Sequence, residues 1–269
     1  MDVNWKTTET AGEWFAKQDK DDLRKQFSDN GYVVVHNLLD NDSLEIYQEI
    51  YDKLLSGEID ASKHRHDLGS HEKRKVVDQE NVCQIMWPSV YLPGLAQGPL
   101  HQRTKAIANV IIGEDAEFDF DMLIAKSPHT ETGTPWHQDE SYWPDMPDKR
   151  AVSFWCAMDD ATVENGCMWF VSGSHKRPLR THRPVKVGHH IRMTDDCSEA
   201  EGQPQPIPAG SCTGHHGRTL HYTRGNSTDR WRRAFIVNYR PKDMVAWERE
   251  HNFDHGKESM ESAIEEVHK

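Results

Sequence analysis

Beyond residue 115 the chain breaks into short segments rich in β-branched and aromatic residues, and this punctuation constrains the fold more than any other feature. Phe118 to Ala125, Ala151 to Met158, Cys167 to Val171, Arg218 to Tyr222 and Ala234 to Tyr239 each have strand length, with Gly and Pro between them. Short strands separated by turn residues predict a sandwich or a barrel. Several of these segments are apolar on both faces, as strands between a core and covering helices must be.

The first part of the chain has a different period. Leu23 and Phe27 place an i, i+4 pair on a helix from Asp21 to Ser28, and Gly31 punctuates it. Tyr32 to Val35 reads as a strand. Asn41 or Asp42 can cap the next helix, whose stripe is Tyr47, Ile50, Tyr51, Leu54 and Leu55. Leu100, Thr104, Ile107, Ala108 and Ile111 restore a helical period that Gly113 ends. Residues 56–96 are irregular, with Ser62 to Lys75 expected as a solvated loop. The residues from Glu248 onward read as a charged, loosely helical tail. With no linker and no repeat, a single domain is expected over 1–269: a helical part to about 115, a β core over about 116–245 and a tail from 246.

Composition excludes several classes. The formal charge of −12 argues against general nucleic-acid binding. No run of apolar residues is long enough for a membrane helix, the N-terminus has no signal-like apolar region, and the mean hydropathy is −0.83. Five cysteines without a Cys-x-x-Cys pair suit a reducing, cytoplasmic setting. A small-molecule substrate is the expected partner.

Chemistry concentrates in Thr134-Pro-Trp-His-Gln-Asp-Glu-Ser-Tyr-Trp143. On a strand, His137 and Asp139 point the same way because residues i and i+2 share a face. A third ligand must come from elsewhere, and His221 is the best candidate. Two histidines and one carboxylate with open positions opposite form the set that selects non-haem Fe(II) for oxygen chemistry. Thr223, Asn226 and Arg232 follow His221, and an arginine fork can pair with a diacid's carboxylate as lysine cannot. The pairs His189-His190 and His215-His216 are further metal candidates, though His216 is expected to be structural. Ser172-Gly-Ser-His175 lacks a nucleophile elbow and reads as a turn. Lys176 to Arg192 holds Lys and Arg but no acid; it is either an exposed basic loop or a lid favouring an anionic substrate.

Three stretches in the same order carry a family resemblance: Pro135 to Trp143, Asn165 to Lys176 and His216 to Arg233. Together with Phe27 to Val35 they resemble the phytanoyl-CoA dioxygenase family of Fe(II)/2-oxoglutarate oxygenases. The one small departure is Ser172, where the family often has Pro. The resemblance implies a double-stranded β-helix (jelly roll, cupin-like) core with flanking helices. It implies Fe(II), 2-oxoglutarate and O2, with succinate and CO2 released as a small organic substrate is hydroxylated. His137, Asp139 and His221 would be the ligands. Arg232 would anchor 2-oxoglutarate, Thr223 would bond to it, and Trp155 would lie beside it. Arg233 is the alternative anchor, but on a strand it faces away from Arg232. His221 and Arg232 are expected on neighbouring antiparallel strands. The rival readings are a cupin-like isomerase or lyase using the same ligands, and a non-catalytic jelly roll.

Overall fold

The computed structural model describes residues 3–7, 9–69, 80–186 and 191–258. Two antiparallel sheets face each other, and helices cover the outer side of the larger one. The strands in chain order are β1 (Tyr32–Val35), β2 (Arg65–Asp67), β3 (Val82–Met86), β4 (Ala116–Lys126), β5 (Thr134–His137), β6 (Val152–Ala157), β7 (Met168–Phe170), β8 (Arg183–Pro184), β9 (Arg192–Met193), β10 (Gln203–Gln205), β11 (Cys212–His215), β12 (His221–Thr223) and β13 (Arg232–Pro241). The larger sheet has the order β1-β11-β6-β13-β4-β3-β2, the smaller β10-β7-β12-β5, and β8 and β9 form a separate hairpin. This is the jelly-roll core with flanking helices.

The helices Lys20–Asn30, Asn41–Ser56 and Pro99–Ile111 form where the sequence period placed them, and three further α-helices join them among the described residues. α1 (Ala11–Ala16) opens on a capping box between Thr10 and Glu13. α2 (Lys20–Asn30) stops at Gly31, whose φ of +83° makes the left-handed cap. α3 (Asn41–Ser56) is capped by Asp40, whose side chain accepts from the Ser43 N–H at 2.8 Å, one residue before the expected cap. α4 (Pro88–Tyr91) and α5 (Pro99–Ile111) begin with Pro at the first turn, where its missing N–H costs nothing. α6 (Lys242–Glu250) follows β13 directly.

Two cores result. Tyr47, Leu54, Leu100 and Ile107 from the helices meet Phe154, Phe235 and Val237 on the outer face of the larger sheet. Trp155, Phe170, Leu220, Ala234 and Ile236 fill the space between the sheets. Thus β13 is apolar in both parities because each face has its own partner layer.

Three expectations need correction. Arg218 to Tyr222 is not one strand: a turn in which the Thr219 N–H donates to the His216 carbonyl (2.8 Å) separates β11 in one sheet from β12 in the other. The stretch expected as a solvated loop begins with a turn at Ser62–His64 and then pairs as β2 with β3. His64 anchors it, with Nδ1 2.6 Å from the Tyr91 hydroxyl and Nε2 2.7 Å from the Lys257 carbonyl. Residues 70–75 of that stretch lie outside the described residues. Glu248 is buried rather than part of a loose tail, and residues 259–269 lie outside the described residues. Among the described residues, no helix is long and apolar enough to cross a membrane.

Candidate metal centre

Strand pairing creates the site. β5 and β12 run antiparallel with His137 and His221 as register partners, so their rings are cross-strand neighbours with centroids 4.0 Å apart. Asp139 is not on the strand as expected; β5 ends at His137, and Asp139 opens a short 3-10 turn, Asp139–Tyr142. The i, i+2 relation survives because Gln138 stays extended, with φ −127° and ψ 125°. Asp139 Oδ1 lies 3.4 Å from both His137 Nε2 and His221 Nε2. Three donors on one face of a metal at about 2.1 Å would stand roughly 3 Å from one another, so this set is close to a closed facial triad.

Backbone carbonyls fix the tautomers. His137 Nδ1 is 2.7 Å from the Pro135 carbonyl and His221 Nδ1 is 2.9 Å from the Thr219 carbonyl. A carbonyl can only accept, so each Nδ1 carries the proton and each Nε2 presents its lone pair inward. Burial and the neighbouring His221 push the His137 pKa down, favouring the neutral ring that a metal needs. Burial alone would raise the Asp139 pKa. The imidazoles around it, His221 first and then His137 and His215, outweigh it and hold the carboxyl ionised, well below its ordinary range.

His215 is a residue the sequence reading did not single out by role. It comes from β11 in the opposite sheet, and its Nε2 lies 3.1 Å from Asp139 Oδ2. One carboxylate oxygen therefore faces the two imidazoles and the other is held from behind. His216 turns elsewhere: its Nδ1 accepts from the Arg218 N–H at 2.9 Å, and its ring lies against Phe27 and His175. His189 and His190 lie outside the described residues. Ser172-Gly-Ser-His175 is a turn, with Gly173 at φ +73° and His175 Nε2 3.1 Å from the Ser28 carbonyl.

Arg232 is on β13, in the larger sheet, whereas His221 is on β12 in the smaller. The expectation of neighbouring strands is wrong; the two residues belong to opposed sheets. Lys126 connects them: it is the register partner of Arg232, and its Nζ donates to Thr223 Oγ1 at 2.7 Å, two residues along β12 from His221. Lys126 was missed, although it continues the inward parity of Phe120, Met122 and Ile124. Thr223 accepts from Lys126, leaving its own proton for a further acceptor. The Arg232 guanidinium is 1% exposed and lies 5.1 Å from the Trp155 ring. Its Nε and Nη1 are buried with no hydrogen-bond partner among the described residues. Burial pulls its pKa down to about 10, which still leaves it charged at neutral pH. Arg233 faces the other way and is engaged by Asp159 at 2.7 Å and Asp52 at 2.5 Å.

Three of the six cations in the basic run are paired with acids. Arg180 pairs with Glu201 at 2.7 Å, Arg183 with Asp195 at 2.6 Å, and Lys176 lies 3.8 Å from Asp29. The missing acids are supplied from outside the run, which local charge counting cannot see.

A cavity of about 260 Å³ opens beside His137 and Asp139 and extends along the inner face of the larger sheet. The chain is similar to known proteins in sequence and in structure. A phytanoyl-CoA dioxygenase domain-containing protein 1 homolog from Caenorhabditis briggsae is 24% identical, over 85% of this chain and 93% of the relative. The crystal structure of EvdO2 from Micromonospora carbonacea var. aurantiaca, complexed with 2-oxoglutarate, is 29% identical, covers 83% of this chain and 91% of that one, and superposes with a TM-score of 0.70. The epimerase SnoN, in complex with Fe3+, alpha ketoglutarate and nogalamycin RO, is 25% identical, covers 82% of each chain and has a TM-score of 0.66. The sequence profile of phytanoyl-CoA dioxygenase (PhyH) matches residues 27–234, and this chain belongs to that family.

Proposed function

We propose that the chain is an Fe(II)- and 2-oxoglutarate-dependent dioxygenase that hydroxylates a small organic substrate, with its helices and jelly roll acting as one catalytic domain. The observation that carries the reading is Arg232. Burying a guanidinium with two nitrogens unpaired among the described residues is costly, so an interior that does so suits an anionic partner. The anion must reach from Arg232 toward His137, Asp139 and His221, which suits a small diacid such as 2-oxoglutarate. The two ligand-bearing molecules named among the similar structures agree with this.

In this reading His137, Asp139 and His221 hold the metal, Arg232 and Thr223 hold the distal carboxylate, and Trp155 packs on the Arg232 side of the co-substrate. Iron with 2-oxoglutarate and O2 supplies an oxidant able to replace a C–H hydrogen by hydroxyl, with succinate and CO2 as by-products. The protein fixes the tautomers, keeps Asp139 ionised and excludes bulk water from the anchor. A cupin-like isomerase would leave the Arg232 fork without a purpose. The test is succinate formation from 2-oxoglutarate under air with added Fe(II). Wild type should form it and His221→Ala should not. Equal succinate from both proteins would remove the reading.

A further inference from the structure

The cavity beside His137 and Asp139 has a polarity pattern that points to a class of substrate, and the inference rests on the oxygenase reading above. Its walls come from the inward parity of the larger sheet and from loops over it. Met86, Phe120, Met122, Ile124, Ile191 and Phe253 make most of the lining apolar.

Among the described lining residues two are cations, and each already has its acids. Arg240 Nε is 2.8 Å from Asp119 and 3.1 Å from Glu248, and its guanidinium stacks 3.8 Å from the Trp143 ring. His255 Nε2 lies 3.1 Å from Asp119 and 3.4 Å from Glu248, with its ring stacked on Phe120. Asp139, committed to the histidines, is the only acid among the described lining residues. Among the described lining residues, a carboxylate or phosphate entering here would lose its hydration and find no unpaired cation, and an ammonium would find no spare acid.

One buried polar atom among the described lining residues is uncommitted. Asn238 Nδ2 is buried without a hydrogen-bond partner among the described residues. Asn238 sits on β13 in register with Ser153 of β6, and both line the cavity. An unpaired amide donor in an apolar wall is a site for an acceptor oxygen.

We propose that the substrate is an uncharged, largely apolar small molecule whose carbonyl, ether or hydroxyl oxygen accepts from Asn238, and that Asn238 thereby orients the rest of the molecule toward His137 and Asp139. A CoA thioester does not fit this description. Its nucleotide could not enter a cavity of about 260 Å³.

The test is equilibrium dialysis of the full-length chain against three bicyclic probes of similar shape: 1-acetonaphthone, 1-ethylnaphthalene and 1-naphthoate. The ketone should bind at least about tenfold more tightly than the carboxylate, a difference near 1.4 kcal/mol. It should exceed the hydrocarbon by about fivefold, the scale of one net hydrogen bond. Asn238→Leu should erase the preference for ketone over hydrocarbon while both still bind. Met122→Trp, with Ile124→Trp as a second filling variant, should abolish binding of all three; unfolding curves identify whichever variant keeps the fold. Tighter binding of 1-naphthoate, no binding of the ketone, or unchanged ketone affinity in a folded filling variant would each overturn the proposal. Dialysis needs neither iron nor 2-oxoglutarate. Ketone binding in a protein that forms no succinate would therefore sink the oxygenase reading alone, and succinate formation without ketone binding would sink only the substrate class.

Discussion

Arg232 and Arg233 are adjacent and chemically identical, yet strand parity gives them opposite environments. Arg233 is satisfied by Asp159 and Asp52 on the outer face; Arg232 is buried inward with two nitrogens unpaired. Truncating one partner of a buried charged pair costs roughly 2–5 kcal/mol. Arg232→Ala should therefore raise the 2-oxoglutarate KM by at least about tenfold, since 1.4 kcal/mol is one decade. Arg232→Lys should recover part of the loss, because lysine keeps the charge without the fork. Titration of 2-oxoglutarate with succinate detection checks this, and an Arg233→Ala defect with normal Arg232→Ala would move the anchor. His215 makes a separate prediction. It holds Asp139 Oδ2 at 3.1 Å, so Oδ1 alone faces the two imidazoles. Outer partners of this kind are worth roughly 10- to 100-fold in metal affinity. His215→Phe should weaken Fe(II) binding on that scale in an anaerobic competition titration. An unchanged affinity would reduce His215 to core packing.

At the scale of elements, the site depends on where strands begin and end. β12 is only His221–Thr223, but it lies between β7 and β5 and so sets His221 against His137. The turn before it is tied to the end of α2: the Gly31 carbonyl accepts from the His216 N–H at 2.9 Å and from Thr219 Oγ1 at 2.8 Å. Gly31 has φ +83°, and a Cβ there would collide with the His175 ring and the Thr219 hydroxyl. A side chain is strained by both the backbone and the space. Gly31→Ala should destabilise the protein by about 1–3 kcal/mol, read as a lower urea midpoint. It should also reduce metal affinity, because the same turn holds the Thr219 carbonyl against His221 Nδ1. A stable variant would show that the turn adapts without the α2 cap.

Across the whole molecule, an ion cluster ties the chain end to the sheet. Asp119 from β4, Arg240 from β13, Glu248 and Arg249 from α6, and His255 beyond it meet within hydrogen-bonding reach. The spacing of Asp119, Glu248 and His255 could suit a metal, but Arg240 and Arg249 already occupy their carboxylates. Burial alone would lower the His255 pKa; Asp119 and Glu248 outweigh it and raise it. Its contribution to stability is thus complete below the unfolded value of about 6.5 and is lost as pH rises through the higher folded value. Asp119 has the opposite sign. Burial would raise its pKa, but His255, Arg240 and Arg249 hold it low, so its contribution is present above about 3.9 and fades on acidification. Urea midpoints measured across pH should fall on the alkaline side in wild type and fall less in His255→Gln. Parallel alkaline slopes in the two proteins would exclude His255 as the source.

Period and punctuation in the sequence determined the helices α2, α3 and α5, the strands β1, β4, β6 and β13, and a sandwich-or-barrel class that the family resemblance narrowed to a jelly roll, because local burial patterns repeat with the backbone's own geometry. The His137-x-Asp139 spacing was legible from short-range geometry, and residue chemistry picked out the distant His221, which the structure brings to the same point. Sheet membership was not legible. That His221 and Arg232 lie in opposed sheets, that Lys126 bridges toward Thr223, and that His215 backs Asp139 all depend on strands far apart in sequence. The pairing of charges in Lys176 to Arg192 was not legible for a related reason, since Glu201, Asp195 and Asp29 reach three of them from outside the run. Local sequence specifies which face a side chain takes on its own strand. Only the packing of one sheet on the other decides what that face meets.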